Sequence, residues 1–368
     1  MAIREIELWP LRIPFRGSFG HAASTRDAGE PVLVRLVDEA GRQGWGEALP
    51  RPYVTGEDVG SVLDRDGPAI ASRLRALDLD DVAGTIAWLR RAIDEHVDAL
   101  AAFGAFELAL LDLVGQRAGV SLLDLLGGAH GAALPAGIVI GFEVATDKLA
   151  RHCAALRFGG RRHVKVKIGA DDDEARLAII AGVLKDLPLR LDANAAWSAQ
   201  EAIARLSGLT RFAIASVEQP VGKHDLAGLR RIRRELGLRV MADESVCSLD
   251  DARRLVEAEA CDIFNVRLGK MGGALGAARI CAFAATAGVA LHLGTMVGET
   301  GVLSVASERF GQATPGFDCL DGKGQNAFLL AEDILEPDVE ISASAPGLGL
   351  RVSEARVRAH AIAPVRRC

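Results

Sequence analysis

The stretch HVKVKIGADDDEARLAIIAGVLKDLPLRLDAN, residues 163–194, reads as a strand, a helix and a second strand in succession. In its first part, VKVKI at residues 164–168, three aliphatic residues point to one face of a strand, and Lys165 and Lys167 point to the other. The middle of the stretch spaces its apolar residues three and four apart, which predicts a helix. Strands that alternate with helices in this way form parallel sheets.

The same alternation continues over most of the chain. From about residue 135, seven short apolar runs alternate with helical segments; the runs are PAGIVIGF, HVKVKIG, LRLDANA, ASVEQP, RVMADES, DIFNVRLGK and VALHLGTM. An eighth run, GFDCLD at residues 316–321, is the weakest of the series. The pattern predicts an α/β fold with a (β/α)₈ barrel of the TIM type over residues 129–330.

The segments on either side of this barrel have a different pattern. Residues 1–128 begin with strand-like stretches at 2–14 and 31–37 and continue with helical stretches, which predicts an α+β domain. Gly127–Gly128 is expected to end the last of these helices. Residues 331–368 contain no clear strand–helix unit, and we predict that they pack back on the first domain.

The composition excludes several classes of function. The net charge of the 368 residues is -6 and both signs are mixed, so no basic stripe indicates a nucleic-acid partner. No run reaches the roughly 18 apolar residues of a membrane helix, and the start MAIREIE lacks the pattern of a signal peptide. Six scattered cysteines without a CxxC pair indicate reduced thiols, a cytoplasmic protein and no cysteine-based zinc site.

Acidic side chains stand where three consecutive strands of the barrel are expected to end: Asp192, Glu218 and Asp243. Functional residues of such barrels gather at the C-terminal ends of the strands. Each acid alone could be a helix cap or part of a surface turn, but three on adjacent strands would converge and repel one another. Carboxylate donors without His or Cys therefore predict a bound Mg²⁺, with Mn²⁺ as a substitute.

Lysines flank this predicted metal site. Lys165 and Lys167 end the second strand and Lys270 ends the sixth; on an ordinary surface strand such lysines would only be solvated. Two cations side by side lower each other's pKa, so we expect Lys167 to be neutral near pH 7 and to act as a base, while Lys165 tunes and orients. Strict alternation puts Lys270 on the opposite face from Arg267, so a strand end or bulge at Gly269 is required to bring it to the site.

The ordered motifs KVK, DAN, VEQP, ADES and NVRLGKMGG resemble those of the muconate-lactonizing subgroup of the enolase superfamily. LALLDLVGQRAGVSLLDLLGG also resembles the helix and linker that join the capping domain of that family to its barrel. The resemblance covers nearly the whole chain. It implies a modified enolase barrel, with residues 1–128 as a capping domain that the C-terminal segment completes.

The resemblance also implies roles for individual residues. The three acids match the Mg²⁺ ligands of the family, and Asn194 and Glu244 match positions beside those ligands. Lys167 matches a general acid/base, and Lys270 matches the lysine on the opposite face of the substrate. The shared chemistry is removal of a proton α to a carboxylate, through an enediolate stabilised by the metal and a cationic lysine. We therefore expect an isomerase that acts on a small-molecule carboxylate and forms a homo-oligomer.

Substrate specificity in this family comes from two capping-domain loops that close over the barrel mouth. The matching segments are FRGSFGHAASTR at residues 15–26 and LPRPYVTGED at residues 49–58. The candidate substrate-binding residues, in these loops and near the last strand ends, are Phe19, His21, Arg26, Tyr53, Thr55, Met296, Glu299 and Asp321. Arg26 would pair with a second anion on the substrate or stay solvated, and Tyr53 would serve in the lid or in packing.

Two facing lysines favour 1,1-proton transfer, so racemisation or epimerisation of an amino-acid derivative is the expected reaction. Cycloisomerisation of the muconate type and syn dehydration need only one lysine, and they fit the same residues. Dipeptide epimerases of this subgroup carry Asp-x-Asp at the eighth strand to hold the substrate ammonium. Here the stretch is CLD, with Cys319 and Asp321, which counts against a dipeptide with a free amine.

Three other interpretations are weaker. The mandelate-racemase branch uses a His–Asp dyad on late strands, but Lys270 stands where that branch has its Asp, so we interpret His292 as a polar strand residue. A Schiff-base lysine aldolase would need one desolvated lysine and no metal, and three converging carboxylates argue against it. A non-catalytic barrel would be expected to have lost a ligand carboxylate or a lysine, and none is lost.

Overall fold

The chain begins with an antiparallel sheet and a hairpin. The computed structural model describes residues 2–21, 24–128, 131–160, 162–185 and 187–368. The first five strands are β1 (Ile3–Pro10), β2 (Ile13–His21), β3 (Ser24–Gly29), β4 (Val32–Asp38) and β5 (Gln43–Ala48). β1, β4 and β5 form one antiparallel sheet, and β2 and β3 form a separate two-stranded sheet. The predicted strand at residues 2–14 is therefore two strands, because the chain leaves the sheet after Pro10 to enter the hairpin.

Helices cover this sheet. They are α1 (Val59–Ser61), α2 (Gly67–Leu74), α3 (Val82–Ala92), α4 (Leu100–Ala118) and α5 (Leu122–Leu125). A π-helical turn at Val62–Asp66 joins the first two, and a 3₁₀ turn follows α3 at Ile93–Glu95. The prediction that Gly127–Gly128 ends the long helix is wrong. α4 ends at Ala118, because Gly119 adopts the left-handed conformation with φ 70°, which glycine reaches without strain.

Eight parallel strands close into the barrel. They are β6 (Ala136–Ile140), β7 (Val164–Lys167), β8 (Leu189–Asp192), β9 (Ile214–Glu218), β10 (Val240–Ala242), β11 (Ile263–Val266), β12 (Ala290–Leu293) and β13 (Leu320–Asp321). All eight coincide with the predicted runs, including the weak eighth one, so the predicted barrel is confirmed. The register places Lys167 beside Asp192 and Asp192 beside Glu218, which brings the ends of three strands to one level.

A helix follows each of the strands from β6 to β12. These helices are α6 (Leu149–Phe158), α7 (Asp173–Leu184), α8 (Ala199–Leu209), α9 (Leu226–Leu236), α10 (Leu249–Glu257), α11 (Gly273–Ala287) and α12 (Gly301–Ala313). Local sequence explains where several begin: Ser198 and Ser248 each accept a backbone N–H three residues on, and the acid there bonds back to the serine N–H. Among the described helices, none is both long and apolar enough to cross a bilayer.

The C-terminal segment returns to the first sheet. α13 (Gln325–Phe328) precedes this segment, which contains α14 (Glu354–His360) and β14 (Arg366–Arg367). β14 pairs antiparallel with β1, with Arg367 opposite Glu7, and the Arg367 Nε atom lies 3.2 Å from Glu7 Oε1. The last residues of the chain therefore add an edge strand to the sheet that the first residues begin.

Buried carboxylates join the capping domain to the barrel. Glu107 lies in α4, which is apolar on nearly all sides and buried over most of its length. Its carboxylate accepts hydrogen bonds from the Ala274 and Leu275 N–H groups at 3.2 and 2.8 Å, at the start of α11. Glu47 accepts the Thr300 N–H at 2.8 Å at the start of α12 in the same way. Carboxylates satisfy the unpaired N–H groups of a helix N-terminus, which favours negative charge.

We expect Glu107→Ala to lower the free energy of unfolding by about 1–3 kcal/mol, because it leaves two buried N–H groups without acceptors. Urea denaturation followed by circular dichroism measures the change. Glu257→Ala, at an exposed position of α10, is the matched control and should change stability by less than about 0.5 kcal/mol. Equal stability of the two variants would contradict a role of Glu107 in joining the domains.

Candidate active site

Three carboxylates lie side by side at one end of the barrel. Asp192 and Glu218 are the last residues of β8 and β9, and Asp243 follows β10 directly. Their exposed fractions are 0%, 0% and 1%. Parallel strands in register bring their C-terminal ends to the same rim, so residues far apart in sequence converge here.

Lys165 and Lys167 lie against these carboxylates from β7. The Lys165 Nζ atom is 3.2 Å from Asp192 Oδ2, 3.3 Å from Glu218 Oε2 and 3.3 Å from Asp321 Oδ2. Burial lowers the pKa of Lys165, but the carboxylates raise it by more, so the pKa lies above its ordinary value. Lys167 donates to Asp192 Oδ2 at 2.7 Å and to Asn194 Oδ1.

Asn194 and Glu244 lie beside the carboxylate row. The Asn194 N–H donates to Asp192 Oδ1 at 3.0 Å, and its side-chain amide donates to Glu244 Oε1 at 3.5 Å. The backbone of Asn194 has a φ of 47°, a conformation that residues other than glycine adopt rarely and that is often found at functional sites. The tight turn after β8 thus directs the Asn194 side chain back towards Lys167.

Lys270 lies at the other end of the row. β11 ends at Val266, and Lys270 belongs to a 3₁₀ turn at Leu268–Lys270, so strand alternation no longer applies to it. Its Nζ atom is 3.0 Å from Asp243 Oδ1 and donates to the Val246 carbonyl at 2.9 Å and to the Asp243 carbonyl. The side chain is fully buried.

Two side chains from β11 and its end join the site although they were not among the predicted site residues. Arg267 donates to Glu218 Oε1 at 3.2 Å and to Asp243 Oδ2, so it bridges two of the three acids. Asn265 donates to Glu218 Oε1 at 2.7 Å. The signal was present in the sequence, since these two residues share a strand face and that face is the barrel interior.

Gln219 is a third residue that the motifs did not single out. Its Oε1 accepts the Asp243 and Ser245 N–H groups at 3.0 and 3.1 Å, and its Nε2 donates to the Ser245 hydroxyl at 2.8 Å. The residue is fully buried, with a φ of 35°. Gln219 therefore fixes the backbone that carries Asp243.

A second charged group lies deeper in the barrel. Arg190 donates to both oxygens of Asp321, at 2.8 and 2.7 Å. The His292 Nε2 atom lies 3.0 Å from Asp321 Oδ2 and 2.7 Å from Arg190 Nη1. Burial lowers the pKa of His292. Asp321 is thus surrounded by Arg190, His292 and Lys165.

A cavity of about 640 Å³ opens above these groups, between the barrel and the capping domain. The barrel contributes Lys165, Lys167 and Arg267 to its wall, while the capping domain contributes Arg26, Arg51 and other residues. A cavity of this size suits a small molecule.

Comparison with known proteins agrees with this arrangement. Residues 2–127 match the family described as mandelate racemase / muconate lactonizing enzyme, N-terminal domain, and residues 148–356 match the enolase C-terminal domain-like family. The chain belongs to the mandelate racemase / muconate lactonizing enzyme family of the enolase superfamily. The predictions of an enolase-superfamily enzyme and of its fold are therefore confirmed.

Individual family members are similar over most of the chain. L-Ala-D/L-Glu epimerase of Clostridium acetobutylicum is 32% identical over 302 residues, 81% of this chain and 83% of that protein. Dipeptide epimerase from Enterococcus faecalis V583, solved with Mg and the dipeptide L-Leu-L-Tyr, has a TM-score of 0.83 at 28% identity, over 95% of this chain and 100% of that one. Muconate lactonizing enzyme from Pseudomonas fluorescens, solved with muconolactone, has a TM-score of 0.84 at 30% identity, over 98% and 99%.

The structure places some of the predicted substrate-binding residues in the cavity wall. Arg26, Tyr53, Met296 and Asp321 line the cavity. The side chains of Phe19 and His21 lie outside the described residues. Residues 15–26, expected to be a loop, lie mostly in the β2–β3 hairpin, whereas residues 49–58 form turns.

Two predicted residues are not part of the cavity wall. The Glu299 carboxylate accepts the Met296 N–H and the Ser304 hydroxyl, both at 2.9 Å, so it faces the start of α12. Thr55 lines a separate, smaller cavity. Position near a strand end did not predict the direction of the Glu299 side chain, because its hydrogen bonds to the Met296 N–H and the Ser304 hydroxyl determine that direction.

The carboxylate row fits a divalent cation. Its donors are all oxygen atoms, which suits Mg²⁺, and an ionised carboxylate has about four lone-pair sites, more than its present contacts use. Glu244 Oε2 is buried and has no hydrogen-bond partner among the described residues. Burial, Asp243 and Asp192 together raise the pKa of Glu244 to about 8, as expected where negative charges are crowded.

We expect Arg190→Met to lower the free energy of unfolding by about 3–5 kcal/mol, because it removes the bidentate partner of a buried carboxylate. Arg253→Met, which removes an exposed pair with Asp250 on α10, should cost no more than about 1 kcal/mol. Urea denaturation of both variants measures the difference. An Arg190 variant as stable as the control would show that His292 and Lys165 suffice to neutralise Asp321.

Proposed function

We propose that this protein is a Mg²⁺-dependent racemase or epimerase of an amino-acid derivative, which removes the proton α to a carboxylate. The supporting observation is the order of side chains across the barrel end. Lys167 stands beside Asp192 at one end of the carboxylate row, and Lys270 stands beside Asp243 at the other. A substrate carboxylate bound at the middle of the row would place its α-carbon between two lysines.

Asp192, Glu218 and Asp243 would hold the Mg²⁺ ion, and Gln219 would keep Asp243 in place. When bound, the ion supplies positive charge that stabilises the negative charge developing on the substrate carboxylate. Lys165, with a raised pKa, stays protonated and adds positive charge on the same side. Arg267 links Glu218 to Asp243 and so keeps the carboxylates in position. Use of Mn²⁺ as a substitute stays a prediction.

Lys167 is the proposed base. It lines the cavity, so its Nζ atom can reach a substrate, and Asp192 and Asn194 orient it. The proton α to a carboxylate is weakly acidic, so its removal requires stabilisation of the enediolate product as well as a base within hydrogen-bond reach. Protonated Lys167 would return the proton to the same face, and Lys270 would serve the opposite face.

The amino group of the substrate is proposed to be acylated or otherwise uncharged. In the dipeptide epimerases of this subgroup, the acids of the eighth strand hold the substrate ammonium. Asp321 is the acid of the eighth strand that faces the cavity, and its oxygens already contact Arg190, His292 and Lys165. This feature argues against a dipeptide with a free amine as the substrate.

A one-base reaction, cycloisomerisation or syn dehydration, is the second candidate. It is favoured by the contacts of Lys270, whose Nζ atom is held by two backbone carbonyls and which is not among the described residues that line the cavity. Lys270 must leave these carbonyls to protonate a substrate, whereas in a one-base reaction its positive charge can act from where it lies.

We expect EDTA to abolish activity and added Mg²⁺ to restore it. The assay is incubation in D₂O with N-acyl amino acids, dipeptides, betaines of cyclic amino acids and muconates, followed by mass spectrometry and chiral chromatography. A Schiff-base aldolase would keep its activity in EDTA, and a non-catalytic barrel would show none under either condition. Activity that survives complete metal removal would rule out the proposed mechanism.

Variants of the two lysines separate the two candidate reactions. Lys167→Ala should slow the reaction about 10²–10⁴-fold, the usual contribution of a general base. Lys270→Ala in a racemase should abolish inversion, yet leave α-deuterium exchange in the one enantiomer whose proton Lys167 removes. In a one-base enzyme the wild type shows no inversion of any substrate. Lys148→Ala, at an exposed site, is the control and should match the wild type.

A further inference from the structure

Arg51 is a buried cation in the wall of the cavity. It lies shortly after β5, in the second specificity segment, with an exposed fraction of 4%. Its Nη1 donates to the Pro50 carbonyl at 3.2 Å, and its Nη2 donates to the Val297 carbonyl at 3.1 Å. Both acceptors are neutral, so these bonds position the guanidinium without balancing its charge.

No carboxylate oxygen lies within 4 Å of the Arg51 guanidinium among the residues that the structure describes. The buried Glu47 accepts hydrogen bonds at the start of α12, and Glu30 lies 4.0 Å from Arg26 and from Arg12. Burial and, to a smaller extent, the positive charge of nearby Arg26 lower the pKa of Arg51 to about 10. The side chain therefore remains charged at neutral pH. A buried charge without a counter-ion is costly, and a ligand anion would relieve that cost.

The cavity wall as a whole carries more positively than negatively charged side chains. Seven of its lining side chains are Arg or Lys and three are Asp or Glu. Arg16 and Arg26 stand with Arg51 on the capping-domain side. Of the three acids, Asp321 is already paired and Glu244 lies beside the carboxylate row, which leaves Glu143 as the remaining acid on the wall.

We propose that Arg51, assisted by Arg26, binds a second anionic group of the substrate, so that the substrate is a dianion with one carboxylate at each end. This inference rests on the proposed function, which assigns the other carboxylate to the metal end of the cavity. Arginine suits this task because its planar fork binds a carboxylate through two parallel hydrogen bonds. The carbonyls of Pro50 and Val297 hold the fork in place before the substrate arrives, which reduces the entropy lost on binding.

The test compares acids with their own amides. The probes are the N-malonyl, N-succinyl and N-glutaryl derivatives of L-methionine, each paired with the compound in which the terminal carboxyl is a primary amide. Each pair has nearly the same shape and differs by one charge. Calorimetry on the Mg²⁺-loaded protein gives affinity, and α-deuterium exchange in D₂O gives kcat and KM separately.

For at least one chain length, the wild type should prefer the acid over its amide by about ten- to a hundredfold in affinity, as expected for a hydrogen-bonded charge pair. Arg51→Met should bring that ratio close to one, leave amide affinity within about threefold, and act on KM rather than kcat. Arg51→Lys should recover part of the preference. Arg12→Met, at an exposed ion pair with Asp27, should behave as the wild type.

A structural role of Arg51 gives a different result. If Arg51 only joined the capping domain to the barrel, Arg51→Met would weaken acids and amides equally and the preference would survive, which would overturn the proposal. A wild type without preference for the acids would also overturn it. If acids bind better through Arg51 but no probe exchanges deuterium, the inference stands and the proposed function fails for these compounds. If only amides exchange, the function stands and the inference fails.

Discussion

Asp192, Glu218 and Asp243 are buried side by side, and ionised carboxylates in such a place are costly unless opposite charge stands next to them. The barrel supplies that charge from both directions. Lys165 and Lys167 approach from β7, while Arg267 and Lys270 approach from the end of β11. The same balance that permits this burial also forms a site where a cation and a substrate anion can meet.

The capping domain matters because it closes this site. Glu107 and Glu47 fix the capping domain to the N-termini of α11 and α12, and both helices follow strands whose ends border the site. Arg51 adds a contact to the loop after β12. The segments that carry Arg26 and Arg51 are thereby held above the carboxylate row, so the capping domain can select the far end of a substrate while the barrel performs the chemistry.

Much of the fold could be predicted because hydrophobic periodicity is local. Each barrel strand matched an apolar run, and the acids at the strand ends followed from the motifs. The predicted end of the long helix was wrong because both Gly119 and Gly127 could end it. The helix ends at the first of these glycines. Strand alternation did not predict the position of Lys270, because the strand ends at Val266 and a 3₁₀ turn follows. Lys270 is held there by contacts with Val246 and Asp243, which follow another strand.

The sequence by itself determined the order of strands and helices, the row of carboxylates and the lysines around it, because these depend on spacing along the chain and on the closure of parallel strands. Only the tertiary structure decided which charges pair. It placed Asp321 against Arg190 and His292, turned Glu299 towards α12, and left Arg51 buried in the cavity wall without a carboxylate partner among the described residues. Ion pairing depends on distances of a few ångströms between side chains far apart in sequence, which residue spacing does not encode.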